Sequence, residues 1–314
     1  MEIRNLGRSG LRVSLIGLGC NNFGGRLDLA ATRAVVHRAL DSGITLFDTA
    51  DIYGNRGGSE EQLGQILGDR RKDIVLATKF GMAMDDSGAL RGGSRRYIMR
   101  AVEASLKRLR TDWIDLYQLH QADPHTPIEE TLRALDDLVR QGKIRYVGCS
   151  NLPAWQVTEA HWTARHHNLN GFVSAQDECS LLVRGIEKEL LPAVSAHGMG
   201  LLPYFPLASG LLSGKYQRNM PAPKGTRLAE GTTTAQRFFT DANLAVVEAL
   251  SAFAEQRGRS LLQLAFSWLA SRPAVASVIA GATRPEQVTQ NVGAANWRLT
   301  AEELDEIDRI TGRA

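Results

Sequence analysis

Short apolar runs alternate with longer stretches of helical periodicity from residue 15 almost to the C-terminal end. Runs of this length bounded by turn residues read as strands buried in a sheet. Apolar positions three and four apart read as helices with one packed face. At the start, Ile3–Asn5 and Arg12–Ser14 flank Gly7-Arg8-Ser9-Gly10 and predict a small hairpin. Strand-like runs follow at 15–18, 44–47, 74–78, 114–119, 144–148, 172–175, 201–202 and 278–280. Between them the periodicity predicts helices over 29–41, 59–67, 97–109 and 127–140. Further helices begin near Pro153, end near Ala196 and begin near Pro285. Ser59 with Gln62 three residues later reads as a helix start, as does Thr126 ahead of Pro127 at a first helical position. A Gly/Pro/Thr-rich segment, about 206–240, breaks the seventh unit, and a last helix over 301–310 follows the eighth. Structureless segments of that length are uncommon in compact domains and often functional.

About eight βα units with no composition shift between them predict a parallel sheet with helices outside, in one domain over residues 1–314. Eight such units fit a (β/α)8 barrel better than an open sheet, with the hairpin and the terminal helix as additions. A length of 314 residues and 43% hydrophobic content are ordinary for that class. The formal charge of +3 is spread along the chain, so no nucleic-acid stripe is expected. Residues 1–14 are polar and lack the apolar core of a signal peptide. The most apolar stretch, 261–270, is about half of what a bilayer needs and reads as a buried helix. Three widely spaced cysteines, Cys20, Cys149 and Cys179, suggest reduced thiols and a cytoplasmic protein. Cys20 and Cys149 fall at strand ends, where a redox role competes with the favoured reading as small packing residues.

The candidate chemistry lies just past three consecutive strands. Asp48 and Tyr53 follow the run at 44–47, Lys79 follows 74–78, and His120 follows 114–119. In a parallel barrel these positions share one face. An acid, a phenol, an ammonium and an imidazole delivered together make a proton-transfer site. Lys79 beside Tyr53 is expected to favour the phenolate and lower its pKa, and Asp48 is placed to hold Lys79 protonated. His120 is suited to donate a hydrogen bond to a carbonyl oxygen. The other strand ends carry Ser150-Asn151, Gln176, Tyr204 and Gly281-Ala282-Thr283-Arg284. Amides and hydroxyls suit a carboxamide, an aromatic ring suits a flat heterocycle, and Arg284 opening a helix suits a phosphate.

Two rival readings fail on residues. Gly17-Leu18-Gly19 tempts one towards a dinucleotide fingerprint, but its third glycine position holds Asn22. A metal-dependent hydrolase lacks ligands: His166 and His167 are chain neighbours that cannot share a face, and His37, His161 and His197 fall in or at the ends of predicted helices. No metal is expected.

The motifs Phe47-Asp48-Thr49-Ala50-Asp51-Ile52-Tyr53-Gly54, Thr78-Lys79-Phe80, Asp115-Leu116-Tyr117-Gln118-Leu119-His120 and Gly148-Cys149-Ser150-Asn151 resemble those of the aldo-keto reductases. So do the runs from Pro206 to Lys215 and from Gly281 to Gln287, and the resemblance covers essentially the whole chain. The run Thr126-Pro127-Ile128-Glu129-Glu130-Thr131-Leu132 is closer to bacterial reductases and potassium-channel β-subunits than to mammalian aldose reductases.

The resemblance implies reversible reduction of an aldehyde or ketone by NADP(H), with NAD(H) as the lesser cofactor. Tyr53 would be the general acid, tuned by Lys79 and Asp48, with His120 orienting the carbonyl. Ser150, Asn151 and Gln176 would hold the carboxamide, with Tyr204 stacked on the nicotinamide, and Cys20, Asn21 and Asp48 would also bind the cofactor. Phe205, Pro206, Leu207, Ser209, Gly210, Leu211 and Lys215 would line the pyrophosphate, with the chain to Arg227 folded over it. Gly281, Thr283, Arg284, Gln287, Gln290 and Asn291 would hold the adenosine end.

Departures are visible. Gly281 and Gln287 stand where many members carry Lys and Arg, leaving the 2′-phosphate mainly to Arg284, and Gln290 replaces a common Glu. The chain ends soon after its last helix, so an open pocket is expected. Partners would be small carbonyl or alcohol molecules, with no nucleic acid or membrane; the oligomeric state is not legible. Specificity is assigned to the loops at 21–26, 82–91, 121–125 and 206–240. The alternative is a nucleotide-sensing regulatory subunit like the channel β-subunits, against which His120 argues, because those subunits differ there.

Overall fold

The computed structural model describes residues 1–218, 220–223, 226–229 and 232–312. A hairpin of β1 (Ile3–Asn5) and β2 (Arg12–Ser14) precedes eight parallel strands. These are β3 (Ile16–Gly19), β4 (Leu46–Asp48), β5 (Val75–Phe80), β6 (Ile114–Leu119), β7 (Ile144–Ser150), β8 (Ser174–Gln176), β9 (Gly200–Leu201) and β10 (Val278–Gly281). From β3 to β9 each strand pairs with the next in chain order, and β10 pairs with β3. The parallel bridges Leu201↔Val275 and Tyr204↔Ile279 link the two ends, so the sheet curls into a (β/α)8 barrel.

Outside the sheet lie α1 (Leu29–Asp41), α2 (Tyr53–Leu67), α3 (Arg95–Leu109), α4 (Ile128–Arg140), α5 (Ala154–His166) and α6 (Leu190–Ala196). They are followed by α7 (Thr233–Phe238), α8 (Asp241–Glu255), α9 (Leu261–Ala270), α10 (Pro285–Ala294) and α11 (Ala301–Ile310). Side-chain caps explain several starts: Asp28 accepts from the Ala31 amide at 2.8 Å, and Ser94 from the Tyr97 amide at 3.3 Å. Ser260 with Gln263 and Thr300 with Glu303 form full capping boxes. None of these helices is long and apolar enough to cross a membrane.

Two cores hold the fold. The larger lies between the sheet and the helices. The smaller fills the barrel, where Leu46, Ala77, Leu116 and Leu202 meet Leu6 and Val13 of the hairpin region. Fully burying one large aliphatic side chain contributes about 1.5–3 kcal/mol, so the hairpin is a plug whose Leu6 and Val13 carry much of its docking. The open end of the barrel is therefore the opposite one, where the strands finish.

Three expectations need correction. Ser59 does not cap a helix: its hydroxyl is buried, donating to the Cys20 carbonyl at 2.9 Å and meeting Thr49 Oγ1 at 2.8 Å. Gln62 instead accepts from the Gly24 amide and from Thr32 Oγ1. The chain coils earlier, with residues 54–57 at positive φ before regular helix begins. Thr126 does not cap α4 either; its hydroxyl donates to Asp123 Oδ2 at 2.7 Å, and Pro127 takes the cap position with no side-chain hydrogen bond. Finally, Asp48 and Lys79 lie inside β4 and β5 rather than beyond them. The segment at 206–240 holds a short 3-10 turn (Ala208–Ser213) and α7; its positions 219, 224, 225, 230 and 231 lie outside the described residues.

Candidate active site

Strand register decides which side chains meet. Lys79 is paired with Gln118, Gln118 with Gly148, and Gly148 with Ser174. Positions paired across a parallel sheet face the same way, so β5 and β6 send Lys79 and Gln118 inward in one layer. Gly148 makes room for them: a Cβ there would lie 2.6 Å from Ser174 Oγ and 3.2 Å from Gln118 Cγ.

At the centre is a buried ion pair. Lys79 Nζ donates to Asp48 Oδ2 at 2.7 Å and to the Thr49 carbonyl at 2.9 Å, with both side chains almost wholly out of water. The second oxygen, Asp48 Oδ1, accepts from Gln176 Nε2 at 2.8 Å and Gln118 Nε2 at 3.3 Å. Such saturation offsets the desolvation a buried carboxylate would otherwise suffer. Burial works against the Lys79 ammonium, but Asp48, and after it Tyr53, outweigh burial and hold its pKa above the ordinary value.

Tyr53 and His120 stand over this pair. Lys79 Nζ lies 5.1 Å from the centre of the Tyr53 ring, and the Tyr53 and His120 rings meet edge to face at 5.7 Å. The expected lowering of the Tyr53 pKa does not hold. Burial pushes the phenol up; Lys79 pulls it down only in part, and Asp48 adds to the rise. The phenol is thus kept as an acid. Burial, and then the Lys79 charge, push the His120 imidazole down to about 3, so it is neutral across the physiological range. The structure brings all four residues of the quartet together.

The quartet opens onto a cavity of about 780 Å³ at the C-terminal ends of the strands, towards the upper end of the range for cofactor sites. Of the residues assigned to a cofactor from sequence, Cys20, Asn21, Asp48, Ser150, Asn151, Gln176, Tyr204, Phe205, Pro206, Leu207, Ser209, Gly210, Lys215, Arg227, Gly281, Thr283, Arg284, Gln287, Gln290 and Asn291 all line it. Leu211 does not: it is fully buried in the larger core, an apolar anchor for the 3-10 turn.

One wall is internally bonded. Ser150 Oγ donates to the Gln176 carbonyl at 2.8 Å. Asn151, at φ 57°, donates through Nδ2 to the His120 carbonyl at 3.1 Å and accepts the Tyr204 hydroxyl at 2.8 Å. Across the mouth, Arg227 Nη2 donates to Asn22 Oδ1 at 2.9 Å and Asn21 Oδ1 at 3.4 Å, tying the long segment to the loop after β3. Burial, and secondarily the Arg26 charge, lower the Arg227 pKa; two cations side by side mark a place that favours an anion. At the far wall, Gln287 Oε1 accepts from the Thr283 amide at 2.7 Å and its hydroxyl at 3.1 Å, so this glutamine shapes the turn that presents Arg284.

Sequence reasoning gave no role to Gln118 or Leu262, and reached Asn22, Arg26, Met82, Gln121, Ser213 and Thr226 only as members of loops assigned to specificity. Gln118 was findable: it stands two positions before His120, so it shares its strand face. The three thiols are buried, and burial pushes each upward, which supports the packing reading for Cys20 and Cys149.

The sequence model of the Aldo/keto reductase family matches residues 15–311. The chain belongs to the aldo/keto reductase family. Among this aldo-keto reductase's relatives is a probable voltage-gated potassium channel subunit beta of Oryza sativa subsp. japonica. It is 40% identical over 321 residues, covering 99% of this chain and 96% of that protein. An L-glyceraldehyde 3-phosphate reductase of Escherichia coli O157:H7 is 37% identical over 320 residues, with 98% and 92% covered. An uncharacterized oxidoreductase of Bacillus subtilis is 36% identical over 320 residues, with 99% and 96% covered. Family and relatives together make this aldo-keto reductase an oxidoreductase.

Proposed function

We propose that the protein reduces aldehydes or ketones with NADPH, and runs the reverse oxidation with NADP. The observation that carries this reading is the saturated Asp48–Lys79 pair beneath a protonated Tyr53 and a neutral His120, at the floor of a cofactor-sized cavity. The residues present fit a nicotinamide dinucleotide. Amide and hydroxyl groups of Ser150, Asn151 and Gln176 suit the carboxamide, and the half-exposed Tyr204 ring suits its face. Lys215 and Arg227 suit the pyrophosphate, and Arg284 at the start of α10 suits the 2′-phosphate.

When bound, the cofactor supplies or accepts the hydride. The chain's own part is to bind, orient and move a proton. His120 donates a hydrogen bond to the substrate oxygen; being neutral, it does so without competing for the proton. Tyr53 delivers its hydroxyl proton to that oxygen as negative charge develops. Lys79 stabilises the phenolate left behind, and Asp48 holds Lys79 in place. In the oxidative direction the phenolate takes the proton back.

The intact quartet favours an enzyme over a regulatory subunit. The substrate panel starts from the relative's own compound, L-glyceraldehyde 3-phosphate, and extends to simple aldehydes and ketones. Consumption of NADPH absorbance with at least one of them is the expected result. NADPH binding without turnover on any of them would favour the regulatory reading instead.

A further inference from the structure

Behind the sheet, away from the cavity, a second carboxyl group is buried within electrostatic reach of a Glu60–Arg108 ion pair. Glu60 is fully buried; its Oε2 receives the guanidinium of Arg108 at 2.7 Å, and its Oε1 accepts the Thr78 hydroxyl at 2.5 Å. Asp51, 1% exposed, has only the Tyr97 hydroxyl at 3.3 Å on Oδ2, while its Oδ1 is buried with no partner among the described residues. The groups that face Asp51 come from every neighbouring element: Glu60 of α2, Arg108 and Tyr97 of α3, and Tyr117 of β6, besides the backbone amide of Ile52.

These residues enclose the turn that carries the proton donor. Asp51 precedes Tyr53 by two positions, and its amide donates to the Lys79 carbonyl at 3.1 Å. Thr78, bonded to Glu60, is the chain neighbour of Lys79. After Tyr53 come four residues at positive φ, two of them the non-glycines Asn55 and Arg56. Left-handed backbone is unfavourable for non-glycine residues, so surrounding contacts must hold it. Arg108 is one such contact: a Cβ on Gly57, at φ 125°, would lie 2.7 Å from Arg108 Cδ.

We propose that Asp51, Glu60 and Arg108 are positioning residues for the proton donor: the two carboxyl groups hold one proton between them, and loss of that proton loosens the turn that carries Tyr53. Arg108 is already engaged by Glu60. A second anion at Asp51 would have a bare buried oxygen and a like charge beside it, and the lowest-cost relief is movement of the 51–57 segment away from Glu60. The role of Tyr53 as donor rests on the proposed function; the shared proton does not.

Burial, reinforced by Glu60, raises the Asp51 pKa to about 8. Because the folded-state value is raised, the protein binds this proton from the unfolded-state pKa near 4 up to about 8, and stability falls as pH rises through that window. Asp51→Asn keeps the shape of the neutral acid and has no proton to lose. The folding equilibrium of the Asn variant relative to wild type, read by urea denaturation without cofactor, is expected to grow about tenfold per pH unit from pH 5 to pH 8, then level off. A difference between the two proteins that stays constant over that range overturns the shared proton.

The second arm is kinetic. Wild-type reduction is expected to fall reversibly around pH 8 while NADPH affinity holds, and Asp51→Asn is expected to lack that limb. Tyr53 itself cannot produce it, because its phenol stands above its usual value of about 10. Should Asp51→Asn lose activity at pH 7, or keep the limb while showing the stability trend, the positioning role fails although the shared proton stands. Glu60→Gln gives a check from the other partner: it removes the like charge and frees Arg108 for Asp51, so the stability trend is expected to weaken, with burial alone still sustaining part of it. A trend unchanged in Glu60→Gln contradicts the proposal.

Discussion

Replacing Lys79 by Met tests the electrostatic core of the site. The Asp48–Lys79 pair is buried on both sides, with the lysine 0% and the aspartate 4% exposed at their side chains. Removing one member of such a pair leaves an uncompensated buried charge and costs about 3–5 kcal/mol. Asp48 Oδ1 would keep its two glutamine amides, but Oδ2 would lose the lysine. The cost is therefore expected within that range rather than beyond it. Urea denaturation of wild type, Lys79→Met, Asp48→Asn and the double variant closes a thermodynamic cycle. The double variant is expected to be more stable than Lys79→Met alone, with a coupling of about 1–3 kcal/mol. In the oxidative direction the same substitution removes the Lys79 charge that pulls the Tyr53 phenol down. The pH at which oxidation rises is expected to move upward. A stability cost below about 1 kcal/mol with no coupling, together with an unmoved oxidation profile, would refute the idea that Lys79 acts through both Asp48 and Tyr53.

Three further outcomes follow from particular residues. His120 is neutral above about pH 3, so the rate of reduction should show no limb between pH 5 and pH 7, and a limb near 6.5 would contradict its assignment as a neutral donor. Arg284→Ala should weaken NADPH about ten- to a hundredfold and leave NADH nearly untouched, since one charge-assisted contact to a phosphate contributes about 1.5–3 kcal/mol; equal weakening of both in a fluorescence titration would assign Arg284 elsewhere. Gly148→Ala should displace the Ser174 hydroxyl, crowd Gln118 and cost about 1–3 kcal/mol in a denaturation experiment, the usual scale of overpacking.

Much of the architecture was legible because barrel strands are short apolar runs followed by polar residues. The strand at Ile114–Leu119 and the helices at Leu29–Asp41 and Ala301–Ile310 were readable to the residue. The start of α2 was not, because hydrophobic periodicity carries no sign of left-handed backbone, and residues 54–57 coil the wrong way before the helix begins. Ser59 looked like a cap because its type and its distance from Gln62 are those of a cap; tertiary packing against Cys20 and Thr49 took its hydroxyl instead. The quartet was legible since each member lies close to the C-terminal end of a strand. The direction of the Tyr53 shift was not, as the sequence names the neighbouring cation but not how much water is excluded. Leu211 failed for a related reason: a glycine-flanked leucine in a loop can face a cavity or a core, and here it faces the core. Gln118 was passed over although its spacing from His120 put it on the same strand face, and register then set it beside Lys79.

On the proposed mechanism, Tyr53 hands a proton to a carbonyl oxygen as the hydride arrives. Single-turnover decay of NADPH absorbance, in wild type and Tyr53→Phe with the same aldehyde, tests it most directly. The phenylalanine keeps the ring beside His120 and leaves the cavity walls intact, so NADPH affinity should hardly change. The decay rate should fall by at least about 10²-fold, the scale of general-acid catalysis. A decay within a few fold of wild type, with cofactor affinity unchanged, would contradict the mechanism.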